Sequence, residues 1–579
     1  MELRHSIMQD STNNANSQAA PSNPRWLLVL AVVYAAVVLF TGLGVRGLNE
    51  PDEGRYAEEA REMLERLQTD RLAWLEESLD GEPYYSKPPL TNWFTCATMS
   101  VLGLNEWGAR MPAALAAFGA VLVAMTLARR MGGERWAALT GVVLPTSLMF
   151  FVVGRLITTD MILLFFMTSA LAAFWFWFED GRRRPLVFFW LALSGAMMTK
   201  GPVGVAVPLL VIVVTLVVLR QPRRLRELGW LWGLPFFAVL GLGWYLQACI
   251  RFDLWWFFLG KQVAGHYFQD AQGHPKPFWF YAVLLVVGAL PWTLCALTAG
   301  GRWREETQSP TTCARRVFLV TWIVTGLVFF SMSRTKLPTY ILPVMTPMGL
   351  LAARFWEEAL TTEEGVVPGV WRLIAAWSSV VFTALVPVCL WYWLYRKIGP
   401  ARPDYAWVWQ VVGGAAVAVL LTAVFWARRS AMRLFSVGVV ALPVFLIAAM
   451  GALSDFEDLM ETNYSFRTIG LALRAHAKPD DRVAFAMTND RGHGICFYAR
   501  RLISKPRLGE SPEGMQHPPP DRLLRSVDQI WEWARHGRRV FCVIPTERRK
   551  EFQQAAPVPF AELAQTRSYT LWLTPPPAQ

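Results

Sequence analysis

Apolar runs of roughly twenty residues, long enough to cross the hydrocarbon core of a bilayer, recur along this chain and constrain its fold more than any other feature. The clearest are Trp26 to Val45, Trp136 to Val153, Met161 to Phe178, Val203 to Leu219, Phe278 to Leu297 and Leu434 to Leu453. Weaker runs raise the expected number to about thirteen spans. Composition agrees, with 54% hydrophobic and only 17% charged residues in 579. The expectation is an all-α polytopic membrane bundle with the lipid bilayer as a partner; nothing points to nucleic acid.

Residues 1–25 are polar, and the first apolar run is too long, and lacks the small-residue site, for a cleaved signal, so 26–453 is expected to be the membrane domain behind a cytoplasmic N-terminus. Lys and Arg collect in cytoplasmic loops. Here they fill alternate gaps: Arg129, Arg130 and Arg135, then Arg182 to Arg184, Arg220 to Arg226, Arg302 to Arg316, and Arg428 to Arg433. The intervening gaps then face outward, among them a long first loop (47–107), provided that Leu90 to Leu102 does not span. The same alternation places residues 454–579 outside. Strand-like runs at Val483 to Met487, Val540 to Ile544 and Tyr569 to Leu573, with helical patterns at Phe466 to Ala475 and Arg522 to Trp533, predict a small C-terminal α/β domain. Leu508 to Pro520 reads as a loop. The seven cysteines are scattered and define no disulfide scaffold.

The first outward loop is chemically dense. NEPDEGRYAEEAREMLERL from Asn49 predicts an amphipathic helix on the outer membrane surface, with Tyr56, Ala60, Met63, Leu64 and Leu67 on one face. Asp52 falls in its first turn, where the helix dipole favours an ionised carboxylate able to take a proton from an acceptor hydroxyl or amine; taken alone, it is as readily a helix-start acid. Lys87, held extended by Pro88 and Pro89, suits a phosphate, or snorkels at the interface. Arg155, Lys200, Arg334 and Lys336 are cations on the side where the positive-inside trend disfavours them. A phosphate at the membrane boundary, such as that of a lipid-linked sugar, satisfies them; anionic head groups are the plainer alternative. Asp160, in GRLITTD, is a second candidate acid or a capped helix start. His266 and His274, eight apart without cysteine, are a weak metal signal.

The runs PDEGRYAEEAREML, YYSKPPLTNW, GRLITTDMILLFF, MMTKGPVGVAVPLL, GHPKPFWFYAVLLVVGALPW and SRTKLPTYILPVMTP together resemble the bacterial family of integral-membrane glycosyltransferases that includes the lipid A aminoarabinose transferases, and more distantly the protein O-mannosyltransferases. The resemblance implies a GT-C fold of about thirteen transmembrane helices with amphipathic juxtamembrane helices. It implies a polyprenyl-phosphate sugar donor, and lipid A, another glycan or a protein as acceptor, on the periplasmic face of the inner membrane. Asp52 then matches the catalytic base, Asp160 the second acid and Lys87 the lysine at the lipid phosphate. Arg55, Tyr56, Tyr84, Lys200, His266, Lys336 and Tyr340 match cavity positions. Ser86 stands where relatives commonly carry Glu, and Gly265 and Gln269 where an acid and an arginine are frequent. No cofactor is certain, and a divalent metal is left open. The resemblance weakens after Leu453.

The competing class is a transporter or flippase of a lipid-linked or anionic solute. Its alternating-access site belongs near the midplane between broken helices, whereas the charges here gather on one side. A non-catalytic assembly factor is a third reading.

Overall fold

In the computed structural model, the described residues are 25–255, 258, 276–301, 310–361, 369–398, 406–424, 430–437, 439, 465–486, 492–506, 523–524, 528–566 and 568–574. They divide into two compact units. One comprises the described parts of Met1–Thr41, Ala113–Arg155 and Thr159–Ala449; the other those of Gly42–Pro112, Leu156–Thr158 and Met450–Gln579.

The first unit is a helical bundle. Four helices among the described residues are long and apolar enough to cross a membrane: Glu106–Gly132, Thr159–Asp180, Trp230–Phe252 and Pro310–Met332. Arg25–Phe40, Val203–Val218 and Val370–Leu385 are shorter apolar helices. A stripe of Ala113, Ala117, Ala120, Ala124 and Ala128 is buried along Glu106–Gly132. Small side chains let helix backbones approach closely where lipid supplies no hydrophobic drive between helices.

Two of the expected spans are broken. Trp136 to Val153 is two helices, Glu134–Val143 and Leu148–Val153, and Phe278 to Leu297 is Phe280–Gly288 followed by Thr293–Gly301, bent by 104°. The cause is Pro145 in one and Pro291 in the other, since proline carries no N–H and clashes with the preceding turn. The breaks satisfy each other: the Leu148 N–H donates to the Leu290 carbonyl at 2.8 Å, and Trp292 Nε1 to Thr146 Oγ1 at 2.9 Å. Irregular backbone inside a bundle persists only where its polar groups find partners in this way. The last expected span, Leu434 to Leu453, lies largely outside the described residues.

The second unit joins the first loop to the C-terminal segment. Leu90–Leu102 has 13 residues, short of a span. The C-terminal sheet runs Arg482–Phe485, Val540–Pro545, Tyr569–Leu573, Ala561–Gln565 in spatial order, the first pair parallel and the others antiparallel. Alternation along Val540–Pro545 sends Phe541 and Val543 to one core with Phe466, Ile469 and Leu473, and Val540, Cys542 and Ile544 to another with Trp531 and Phe552. Helices thus cover both faces. The helix expected over Arg522 to Trp533 begins only at Asp528, Leu523–Leu524 being a short strand paired with Lys505–Pro506. Leu508 to Pro520 lies outside the described residues. The six described cysteines are free.

The Asp52–Arg66 helix forms as its amphipathic pattern predicts, but protein covers more than its apolar face. Tyr56, Ala60 and Met63 are buried, and so are Glu53, Glu58, Glu59, Arg61 and Glu62 on the faces that read as polar. Helices Leu90–Leu102 and His493–Ala499 pack against it. Buried hydrogen bonds hold the C-terminal residues to the first loop: Tyr498 Oη accepts the Leu48 N–H and donates to Glu106, both at 2.9 Å.

Candidate active site

In the bundle, helices Thr159–Asp180 and Arg184–Lys200 are joined by a three-residue turn and run antiparallel, so that the start of one and the end of the other share a level. Asp160 stands in the first turn of the former and Lys200 in the last turn of the latter. Each sign of charge is thus at the helix end whose dipole favours it. Gly201, at φ +78, closes the Arg184–Lys200 helix with its N–H on the Met197 carbonyl at 2.8 Å, and Pro202 starts the next. Lys200 Nζ ion-pairs with Asp160 Oδ1, and it lies 4.3 Å from the centroid of the Tyr340 ring. The pair is mostly buried, at 12% and 10% side-chain exposure. At that burial an ion pair has to be well partnered to persist, and the aromatic face adds to the attraction for the ammonium.

The segment Ser333 to Tyr340 supplies the rest. Lys336 is buried with Nζ on the Ser333 carbonyl, and Tyr281 Oη donates to the Leu337 carbonyl at 3.0 Å. Arg334 is exposed. Arg155 is engaged at the end of the Arg25–Phe40 helix, where its guanidinium donates to the Val38 carbonyl at 2.9 Å and to that of Thr41, over the Phe151 ring. Asp160, Lys200 and Tyr340 are therefore brought together, while Arg155 binds carbonyls at the end of the Arg25–Phe40 helix.

In the second unit, Asp52 opens its helix with the side chain 66% exposed. Arg55 Nη2 donates to Asp52 Oδ1 at 3.0 Å and Nη1 to Tyr84 Oη at 2.9 Å, and its guanidinium lies 4.7 Å from the centroid of the Tyr56 ring. Asp52, Arg55, Tyr56 and Tyr84 thus form one group, with the carboxylate presented outward. Burial alone disfavours the Arg55 cation, but the surrounding tyrosines and carboxylates hold its pKa above the ordinary value. Lys87 is half-buried in the turn that leads through Pro88 and Pro89 into Leu90–Leu102. His266 and His274 lie outside the described residues. Among the described residues no three His, Cys, Asp or Glu are placed to hold a metal, and the position before Lys87 offers a serine hydroxyl in place of a carboxylate.

Residues that the sequence did not single out support this group. Glu53 accepts two bonds from Arg110, at 2.8 and 2.9 Å, and one each from the Asn49 and Ile157 N–H groups. Burial pushes its pKa up, but Arg110 and Arg46 outweigh that and hold it at about 2. Asn92 Nδ2 donates to Glu59 and Glu77 at 2.7 Å each, and burial raises both carboxyls, Glu59 to about 7. Asp80 takes Lys505 Nζ at 2.9 Å on both oxygens beside His493; burial opposes the Asp80 anion, yet Lys505 and His493 keep its pKa below the ordinary value. An acidic helix face reads as solvated in sequence, so only packing reveals these contacts.

The chain resembles known proteins across most of its length. A family model described as dolichyl-phosphate-mannose-protein mannosyltransferase matches residues 25–258. The undecaprenyl phosphate-alpha-4-amino-4-deoxy-L-arabinose arabinosyl transferase of Serratia proteamaculans is 27% identical over 540 residues, 89% of this chain and 91% of its own length. Its Pseudomonas aeruginosa counterpart is 33% identical over 336 residues, 56% of this chain and 58% of its own. The crystal structure of ArnT from Cupriavidus metallidurans bound to undecaprenyl phosphate matches with TM-score 0.77 and 26% identity, covering 96% of this chain and 99% of that one.

Proposed function

We infer that this chain, a membrane glycosyltransferase of the GT-C class, moves a sugar from a polyprenyl-phosphate donor to lipid A on the periplasmic side of the bacterial inner membrane. The observation that carries the reading is the likeness, over nearly the whole chain, to a transferase solved with undecaprenyl phosphate bound. The relatives named above are aminoarabinose transferases, which makes 4-amino-4-deoxy-L-arabinose the first sugar to test.

The chemistry is a single displacement at the anomeric carbon. An acceptor oxygen forms the new bond as the bond from that carbon to the donor phosphate oxygen breaks, and the electron pair leaves on polyprenyl phosphate. Asp52, exposed and oriented by Arg55, takes the acceptor proton. Lys87, Lys200 and Lys336 neutralise the departing phosphate, and such donors, aimed at developing charge, contribute a few kcal/mol each. Asp160 pairs with Lys200 and holds its ammonium in place. Tyr340 provides an aromatic face for the ammonium, and Arg334 an exposed cation for the phosphate. Attack opposite the leaving group inverts the anomeric centre.

The test is transfer by the purified protein in lipid, supplied with labelled undecaprenyl-phosphate aminoarabinose and lipid A. Label recovered in lipid A, with equimolar undecaprenyl phosphate released, is the expected result. Donor left intact across a panel of sugars and acceptors overturns the reading.

A further inference from the structure

A cleft of about 490 Å³ opens in the C-terminal α/β part of the second unit, within the range of small-molecule sites. Three neighbouring segments that run in the same direction wall it. Arg482–Phe485 is the centre, with Val540–Pro545 parallel on one side and Arg482 level with Val540. On the other side Ser504 bridges Ala484 in parallel, exchanging 2.9 Å bonds with Val483 and Phe485. All three bring arginine to the cleft at the same end: Arg482 in the centre, Arg538 and Arg539 on one flank, Arg501 on the other.

That convergence is costly without an anion. Four guanidinium groups lining one cleft repel one another, and a nearby opposite charge relieves that repulsion. The carboxylates on the walls, Asp480 and Asp481, offset only part of it. Asp481 Oδ2 is 3.5 Å from Arg539 Nη1, and the Asp481 carbonyl accepts from Arg501 at 2.8 Å. Two guanidinium groups are held in place from behind, Arg501 by the Lys478 and Pro479 carbonyls and Arg539 by that of His476. Arg482 stacks on the Trp533 ring at 5.4 Å. Planar donors fixed in this way match the oxygens of a phosphate better than they match a mobile counter-ion. Of the charged lining residues, Asp480 and Arg538 are exposed, so the mouth is polar. A polar mouth carrying a carboxylate suits a soluble saccharide head more than an anionic bilayer surface.

We propose that the Arg482–Arg501–Arg538–Arg539 cleft binds a phosphate monoester carried on a saccharide, and so docks the phosphorylated glycan of the acceptor. The assignment of the acceptor rests on the lipid A reading above; the recognition of a sugar phosphate does not.

The experiment titrates the full-length protein in nanodiscs of zwitterionic lipid with the deacylated lipid A disaccharide bisphosphate, with the same disaccharide lacking phosphate, and with inorganic phosphate. The bisphosphate is expected to bind at least tenfold more tightly than either control. Arg482→Gln with Arg538→Gln is expected to remove at least tenfold of that affinity while leaving the unphosphorylated disaccharide unchanged, and the single exposed variant Arg538→Gln to remove a smaller part without altering the thermal midpoint. Equal affinity for both disaccharides, inorganic phosphate binding as well as the bisphosphate, an unaffected double variant, or competition by phosphatidylglycerol as strong as by the bisphosphate overturns the proposal. Binding as expected by a protein that transfers no sugar to lipid A overturns the function above and leaves the cleft standing.

Discussion

Asp52 and Glu53 are neighbours on one helix, yet one is 66% exposed beside Arg55 and the other 4% exposed inside a cage of Arg110, Arg46 and backbone N–H groups. The same contrast separates the two units. In the apolar bundle the Asp160–Lys200 pair is set at matched helix ends next to Tyr340. In the second unit, buried charge is common around the Asp52–Arg66 helix. A charge amid membrane helices is rare enough to mark a site. In the second unit burial marks assembly instead, and exposure of a well-held carboxylate is the better sign of chemistry.

If that distinction holds, Asp52→Asn lowers transfer about a hundredfold or more, the range expected for loss of a general base, with the thermal midpoint unchanged. Transfer within threefold of wild type breaks the comparison at its catalytic end. Arg110→Ala does the opposite. It leaves Glu53 buried without its main partner, and is expected to cost about 3–5 kcal/mol of stability, read as lost yield of folded protein or a lower midpoint. An unchanged midpoint would mean that the cage is dispensable. Lys200→Gln is expected to reduce transfer roughly a hundredfold to a thousandfold, as for loss of one donor at developing charge, and to raise the donor requirement more than the acceptor requirement. An effect on acceptor alone would move Lys200 out of the phosphate's reach.

The smallest expected effect is on pH dependence. Burial is the largest influence on Glu50 and raises its pKa from 4.5 to about 7, against the N–H groups of Gly492 and Gly494 and the charge of Lys505. A carboxyl with a raised folded pKa keeps its proton longer in the folded state, so its contribution to stability is full below about 4.5 and is lost as pH climbs through 7. Glu50→Gln should therefore flatten the fall in thermal midpoint across that window. Glu53 has the reverse sign, its contribution being lost only as pH falls from about 4.5 towards 2.

Periodicity and length were enough to identify a helical membrane bundle and to place helices such as Thr159–Asp180 and Val203–Val218, because a bilayer demands long apolar runs written continuously in the chain. They missed the breaks at Pro145 and Pro291, where the Leu148 N–H donates to the Leu290 carbonyl across the bundle and the Trp292 side chain donates to the Thr146 hydroxyl. The strands at Val540 and Tyr569 are legible as short runs rich in β-branched and aromatic residues, while Ala561–Gln565, with its largely exposed AELAQ sequence, carries no such signal.

What the sequence determined by itself was a polytopic chain with its candidate site residues in a few short motifs: Asp52 and Lys87 in the first loop, Asp160, Lys200 and Lys336 at the edges of apolar runs. Local pattern suffices there, because membrane insertion and helix-end electrostatics act over neighbouring residues. Only the tertiary structure decided which charges meet. Lys200 finds Asp160 across a helical hairpin, and Glu53 finds Arg110 from 57 residues away. The carboxylates of the Asp52–Arg66 helix become buried because Leu90–Leu102 and His493–Ala499 cover it. Such pairings depend on long-range packing, which the spacing of residues along the chain does not encode.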